Sequence, residues 1–233
     1  MMAGPNPKRM IMPPTRATAA ADELRRRILE GEYPAGMPLR QAILAEELGI
    51  SRIPFREALI LLEAEGLVQT VAHKGAVVAG FSADEVEELF EFRALLEPVL
   101  LEKSAPRLTQ ADYEELDAIL RGYSGELRAQ NPGRWGVLNT ELHSVLYRRA
   151  GRPRMLATVE QLLQSTDRFT RMQLYYTDGR EKAEREHLEI VTECRAGNVK
   201  KAARLLRSHI LTAGEALVTL LKNRQQQSGI TKT

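Results

Sequence analysis

The sequence has a single cysteine, Cys194, among its 233 residues. One cysteine excludes a framework of internal disulfides. No apolar run reaches the ~18–20 residues that a membrane span requires, so we expect no membrane partner. The first twenty residues carry prolines where a signal peptide needs an unbroken apolar stretch. We therefore expect no export and predict a cytoplasmic protein.

The net charge is also small, at +2. Overall charge therefore does not by itself indicate nucleic acid as a partner. A length of 233 residues accommodates one large domain or two modest ones, each with its own core. The composition, 43% hydrophobic and 27% charged, is typical of a globular protein.

The first structured region is predicted over residues 18–80, after a flexible tail of residues 1–17. Its pattern predicts three helices, of which the second ends at Gly49 and the third follows an N-cap at Ser51, with Pro54 in the first turn. Two short β-rich runs around "AHKG" then predict a hairpin. Three helices and a small β-hairpin are typical of a winged helix-turn-helix domain.

The second region, residues 81–222, has an almost wholly helical pattern. Ser82 and Glu85 form a capping box at its start, and "TQAD" from Thr109 resembles a second one. We predict a six-helix antiparallel bundle, a mainly α protein overall, and a flexible tail over residues 223–233. The apolar residues of the first bundle helix that we expect to point inward are Val86, Leu89, Phe90, Leu95, Leu96 and Val99.

The third helix begins with an electrostatic anomaly. Arg52 and Arg56 lie four residues apart in its first turns, so they share a face. A cation near a helix N-terminus is disfavoured by the helix dipole by roughly 0.3–1 kcal/mol. Either this is a solvated face that tolerates the penalty, or DNA supplies the missing anion, because the second helix of a helix-turn-helix enters the major groove with its N-terminus foremost.

Other residues of the first region are candidates for the same DNA contact. Ser51 is positioned to cap the helix and to donate to a phosphate. Arg25 on the first helix and Arg40 before the second are cations near the expected DNA backbone, with simple solubility as the alternative. The hairpin tip carries His73, Lys74 and Gly75, which are placed to reach a flanking groove or phosphate.

The segment "GEYPAGMPLRQAILAEELGISRIPFREALILLEAEGLVQTVAHKGAVVA" closely resembles the GntR family of bacterial transcription regulators. The matching positions include Leu44-Ala45, Leu48-Gly49-Ile50, Ser51-Arg52, Pro54-Phe55-Arg56-Glu57-Ala58-Leu59, Glu65-Gly66-Leu67 and Gly75. The resemblance implies that Arg52, Arg56 and the wing contact operator DNA. Ala42 stands where many members carry arginine, so that DNA contact is either missing or made by Arg40 instead. Ile53 replaces a common threonine, and we expect this to alter the base preference.

The second region is similar, more loosely, to the FCD type of effector domain found in the FadR branch of that family. Spacing alone is weak evidence for a metal site, since a lone helical histidine is more often a hydrogen-bonded core residue. The resemblance implies that Asn139, His143, His187 and His209 hold a divalent ion in the bundle centre. Imidazole suits Zn²⁺ or Ni²⁺, and the oxygen ligand here would be a neutral amide.

Arg93 is the position that the resemblance places beside the effector cavity, as a clamp for a carboxylate. The alternative for Arg93 is a salt bridge to Glu97, four residues further along the helix. Arg168 is a weaker candidate for the same role.

The sequence thus predicts a ligand-responsive transcriptional regulator, expected to be a repressor and not an enzyme. Its predicted partners are double-stranded operator DNA, a small carboxylate effector and a second copy of the chain. Two alternatives remain open: a regulator that senses metal alone, and a metal-dependent hydrolase.

Overall fold

The computed structural model describes residues 15–29, 32–80, 82–129, 132–177 and 179–230. In chain order the elements are α1 Arg16–Leu29, α2 Gln41–Glu47, α3 Arg52–Ala64, β1 Val68–Val71, β2 Gly75–Val78, α4 Ala83–Ser104, a 3₁₀ turn Ala105–Arg107, α5 Gln110–Ala129, α6 Pro132–Tyr147, α7 Pro153–Tyr176, α8 Gly179–Arg195 and α9 Val199–Ile230. The predicted fold class, a winged helix-turn-helix followed by a six-helix bundle, is confirmed. None of the described helices combines the length and the apolarity needed to cross a bilayer.

The winged helix-turn-helix is built on the buried side chains of α1 and α3. Leu24, Phe55 and Leu62 are fully buried between these helices, at the positions predicted by their helical spacing. Ser51 has the extended backbone of an N-cap, but its hydroxyl makes no capping bond. The hairpin pairs Val68 with Val78 and ends at a three-residue turn.

The bundle is centred on α4 and α9, which make the most extensive helix pair in the described structure. The backbone of Gly214 on α9 approaches Phe90 on α4 so closely that a Cβ there would lie 2.7 Å from the Phe90 Cβ. The other bundle helices surround this pair. As predicted, Ser82 caps α4 by accepting from the Glu85 backbone N–H at 3.2 Å.

Three details differ from the sequence-based expectations. Helix α1 begins at Arg16, inside the predicted tail, and α9 continues to Ile230 although a tail was expected from residue 223. Residues 1–14 and 231–233 of those predicted tails lie outside the described residues. On α4, Leu95 and Val99 are exposed by 66% and 39% rather than buried, because they lie on the face turned away from α9.

Candidate functional site

The winged helix-turn-helix carries exposed cations at the α3 N-terminus, before α2 and at the hairpin tip. Arg52 and Arg56 are exposed on either side of Ile53, which is itself 71% exposed. Arg40 is exposed just before α2, and Lys74 is exposed at the hairpin tip. Within the described part of the chain, none of these four cations has an ion-pair partner.

The hairpin tip has the backbone of a tight turn. His73 adopts a left-handed conformation with φ of 64°, and Gly75 follows with φ of +74°. Histidine tolerates this region better than bulky or branched residues do. The turn leaves His73 and Lys74 exposed, so both project from the same end of the domain.

Arg25, Arg26 and Arg27 of α1 are in the opposite situation, because each has a carboxylate partner. Arg27 donates to Glu23 at 2.7 Å and also pairs with Glu47. Arg26 donates to Glu32 at 2.8 Å. These cations are neutralised within the domain.

Arg25 belongs to the contact between the two domains. Its guanidinium binds the Glu65 carboxylate at 2.8 and 2.5 Å, and Glu65 is only 3% exposed. The Tyr176 hydroxyl, from the end of α7, donates to the same carboxylate at 2.9 Å. The DNA contact of Arg25 stays a prediction; in this structure its charge is matched by Glu65, and its side chain lies against α7.

Gly66 brings the domains still closer. It follows the end of α3 with φ of +82°, and a Cβ on it would lie 2.8 Å from the backbone oxygen of Arg168 and 3.4 Å from Cγ of Met172. Both the left-handed conformation and the close approach of α7 therefore require glycine. The Glu65-Gly66 pair of the recognised motif is thus also the place where α7 contacts the first domain.

Three histidines from three helices meet inside the bundle. His143 on α6, His187 on α8 and His209 on α9 are buried, and one nitrogen from each lies within 4.8 Å of the others. The ring centroids of His187 and His209 are 4.6 Å apart. His143 Nε2 and both nitrogens of His187 have no hydrogen-bond partner among the described residues.

Two of the three imidazoles are oriented by carboxylates. His143 Nδ1 lies 2.7 Å from Glu97, and His209 Nδ1 lies 2.7 Å from Glu186. Because an ionised carboxylate only accepts, each of these Nδ1 atoms carries a proton, and Nε2 is the nitrogen left for another partner. Burial lowers the pKa of His143, and burial together with the neighbouring histidines lowers the pKa of His187 well below its usual range. The rings of His143 and His187 are therefore neutral, which is the form that binds metal.

Glu97 is the most connected charge of this centre. It is fully buried and accepts from Arg93 Nε at 2.6 Å and from the Tyr147 hydroxyl at 2.6 Å, besides its contact with His143. Burial opposes ionisation of Glu97, but Arg93 and His143 outweigh it and hold its pKa well below the usual range. The salt bridge named as the alternative role for Arg93 is present.

Beside the histidines lies a small chamber with room for about one water molecule, about 20 Å³. It shares Gln173 and His209 with an outer chamber of about 200 Å³, which opens toward Lys182 and Glu186. The polar residues lining the inner chamber are Arg93, Tyr123, Asn139, Thr170, Gln173 and His209. The fold thus brings Asn139, Arg93 and His209 to one cavity.

Arg168 is not among the residues that line either chamber. It lies 3.7 Å from Glu85 and packs over the Phe169 ring, and its backbone contacts the first domain. Effector binding by Arg168 stays a prediction.

The sequence model of the FCD domain matches residues 88–212, which include the three histidines. The sequence model of the bacterial regulatory proteins of the gntR family matches residues 16–78. The chain belongs to the GntR family.

Individual relatives of this GntR-family chain agree with that assignment. The HTH-type transcriptional regulator YdhC of Bacillus subtilis is 28% identical over 81% of this chain and 84% of its own length. The HTH-type transcriptional repressor GlaR of Escherichia coli is 26% identical over 81% of this chain and 90% of its own. A crystal structure of a GntR family member from Pseudomonas syringae has a TM-score of 0.52 and 30% identity, covering 92% of this chain and 90% of that one.

Three residues of the centre in this GntR-family chain were not predicted: Glu186, Tyr147 and Tyr123. Tyr147 follows His143 by one helical turn, and that spacing was available in the sequence. Glu186 precedes His187 but binds His209, 23 positions away, and no local pattern predicts such a pair.

Proposed function

We propose that this GntR-family chain is a ligand-responsive transcriptional repressor of the FadR branch that works in the cytoplasm. The observation that carries the proposal is the contrast between its cations. Those at the α3 N-terminus and the hairpin tip are exposed and lack carboxylate partners among the described residues, while Arg25, Arg26 and Arg27 of α1 are paired. An external polyanion is the partner that such a surface fits.

In this proposal α3 enters the major groove with Ser51 and Pro54 at its leading end. Arg52 and Arg56 bind guanine edges or phosphates, for which the guanidinium fork is suited. The exposed Ile53 between them offers an apolar contact to a thymine methyl group. Arg40, His73, Lys74 and Gly75 contact the backbone on either side.

The bundle centre is proposed to hold a divalent metal, Zn²⁺ or Ni²⁺, through His143, His187, His209 and Asn139. The residues fit such an ion, because the unbonded imidazole nitrogens are buried, neutral and close together. The three histidine nitrogens lie within 4.8 Å of one another. Small side-chain rotations would bring each of them to the zinc–nitrogen distance of about 2.1 Å. A bound ion would supply a Lewis-acid position for an anionic ligand in the inner chamber.

The proposed effector is a small carboxylate that lies beside Arg93. Helix α7 connects this ligand to the DNA-binding domain, because Thr170 and Gln173 line the chamber while Tyr176 binds Glu65. A ligand that favours one position of α7 would therefore bias the placement of α1 and α3.

A homodimer is part of the proposal, since two-fold symmetry matches a near-palindromic operator. Phe92, Leu95 and Val99 form an exposed apolar stripe on α4. Leu96, which follows Leu95 on this helix, lines a groove together with the start of α7. A second copy of the chain would bury this stripe.

Leu95→Glu should give monomers in light scattering, whereas Leu188→Glu, at an exposed leucine on α8, should leave the dimer intact. Dimers in both variants would contradict this interface.

The test of function is a titration of an operator duplex that has been selected from a random library. The titration uses metal-stripped and metal-loaded protein, and each form is measured with and without a panel of carboxylates. Operator affinity that changes only when metal and acid are both present supports the proposal. A change with metal alone supports the metal-only regulator. Constant affinity in every arm would contradict ligand sensing and leave DNA binding intact.

The hydrolase alternative has less support from the geometry. Among the described residues, the carboxylates bonded to the histidines are Glu97 and Glu186, and each is committed to an imidazole Nδ1. Neither is therefore a free general base for an attacking water.

A further inference from the structure

Tyr123, on α5, has a buried hydroxyl with no hydrogen-bond partner among the described residues. The side chain is only 2% exposed, and its ring lies edge-on to His187 with the centroids 5.2 Å apart. Tyr147 and Tyr176 each donate to a carboxylate. A buried hydroxyl without a partner destabilises the fold, because it has lost its bonds to water. A group outside the protein chain is therefore expected to complete this site.

The position of Tyr123 indicates which group that is. It lines the inner chamber together with Arg93 from α4 and Asn139 from α6, so three helices bring polar side chains to one small space. A tyrosine hydroxyl is protonated at neutral pH, so it is available as a donor. A donor in this place recognises an oxygen that accepts a hydrogen bond.

The two chambers limit the size of the group. The inner one holds about 20 Å³, whereas the outer one holds about 200 Å³. Only the head of a ligand fits the inner space, and the remainder extends past Gln173 and His209 into the outer chamber. Tyr123 and Arg93 therefore contact oxygens of the same head group.

We propose that Tyr123 is a specificity-determining residue that selects a carboxylate with a second acceptor oxygen near the carboxyl group, such as a hydroxyl or keto oxygen. Arg93 faces the carboxylate, and Tyr123 donates to the additional oxygen. This inference rests on the proposed function of the bundle as an effector site. It narrows the ligand class from carboxylates in general to oxygen-substituted carboxylates, because a simple acid leaves the Tyr123 hydroxyl unpaired.

The test compares matched acids that differ by one hydroxyl: propionate with lactate, and succinate with malate. Calorimetric titrations use full-length protein, zinc-loaded and metal-free, as wild type and as Tyr123→Phe. We expect the wild type to bind the hydroxylated acid of at least one pair about tenfold more tightly. Tyr123→Phe should remove that preference and leave the affinity for the parent acid within about threefold.

Tyr113→Phe is the matched control, since Tyr113 is a largely buried tyrosine of the same helix that does not line the chamber. It should keep the preference of the wild type. A second readout is thermal unfolding without ligand, in which Tyr123→Phe should be at least as stable as the wild type, because the lost hydroxyl has no protein partner.

Three results would overturn the proposal: equal weakening of both acids in a pair, no saturable binding of any of the four acids in either metal state, or a clear drop in melting temperature for Tyr123→Phe. The last would show that the hydroxyl has a structural partner such as a fixed water. Failure of the wild type to bind zinc counts against the proposed metal site instead, and the metal-free titrations then still decide the role of Tyr123.

Discussion

Two arginines of the first domain, at the start of α3, and one arginine of the bundle are held in opposite ways. Arg52 and Arg56 are exposed and have no ion pair among the described residues, whereas Arg93 is 3% exposed and bound to the buried Glu97. Water solvates an exposed cation at little cost, so its position is open to an external anion. A buried cation needs an internal counter-ion, and its position is therefore determined by the fold. The first arrangement suits reversible DNA binding, and the second suits a preorganised chamber.

The largest expected effect comes from breaking the buried pair. Glu97→Gln leaves the Arg93 guanidinium buried without a counter-ion, which typically costs about 3–5 kcal/mol of unfolding free energy. Glu115→Gln removes an exposed partner of Arg148 and should cost less than about 1 kcal/mol. Chemical denaturation measures both. Equal losses would show that burial does not distinguish the two pairs.

The next effect concerns the contact that joins the two domains. Gly66→Ala places a Cβ in a left-handed residue and 2.8 Å from the Arg168 backbone oxygen, so we expect a loss of about 2–4 kcal/mol. Gly197 is the control, because it has φ of +76° but no atom within 4 Å of the added Cβ. Gly197→Ala should cost only about 1 kcal/mol, for the conformation alone. If melting curves show the same loss for both variants, the contact between Gly66 and α7 adds nothing to the cost of the substitution.

On the exposed side, Arg52→Ala and Arg56→Ala should each weaken operator binding by about 1–3 kcal/mol while the melting temperature stays unchanged. Arg26→Ala is the control, since its guanidinium already pairs with Glu32. It should leave operator affinity nearly unchanged. Fluorescence anisotropy with the selected operator measures these affinities. If both α3 variants bind the operator as tightly as the wild type, the arginines belong to a solvated face and not to a DNA contact.

The smallest effect is expected for the charge of Asp112, near the start of α5. Its pKa is held below the usual range by hydrogen bonds from Arg149 and Thr109. A lowered folded-state pKa stabilises the fold above the unfolded value of about 3.9, and this stability is lost as the pH falls through the folded value. Asp112→Asn should therefore cost about 1 kcal/mol at pH 7, with a smaller difference below pH 4. Asp117→Asn, at an exposed pair with Arg195, should show little pH dependence in denaturation curves.

The two domains also differ in how much their sequences predict. In the first, the signals are local: Gly49, Ser51 and Pro54 mark the turn and the next helix, and Phe55, Leu59 and Leu62 follow at helical spacing. In the bundle, the three histidines were grouped by family resemblance, because helical spacing relates only residues about one turn apart. Glu97 and His143 are 46 positions apart, and only packing brings them together.

Arg25 and Arg168 have partners that their local sequence does not predict. Arg25 and Arg168 were assigned from their charge and from the element that carries them. Their partners lie elsewhere in the chain: Glu65 is 40 positions from Arg25, and Glu85 is on another helix than Arg168. A helix pattern gives the face on which a cation lies, but not the carboxylate that another element places beside it.

By itself, the sequence determined the order of helices, the winged helix-turn-helix with Arg52 and Arg56 at its leading end, and the family, because these depend on local spacing and on a contiguous motif. Only the tertiary structure decided which charges are free and which are paired, that Glu97 and Glu186 orient the histidines, and that Tyr123 lines the chamber. Burial and pairing depend on distances between helices far apart in the chain, and such distances arise only when the core has packed.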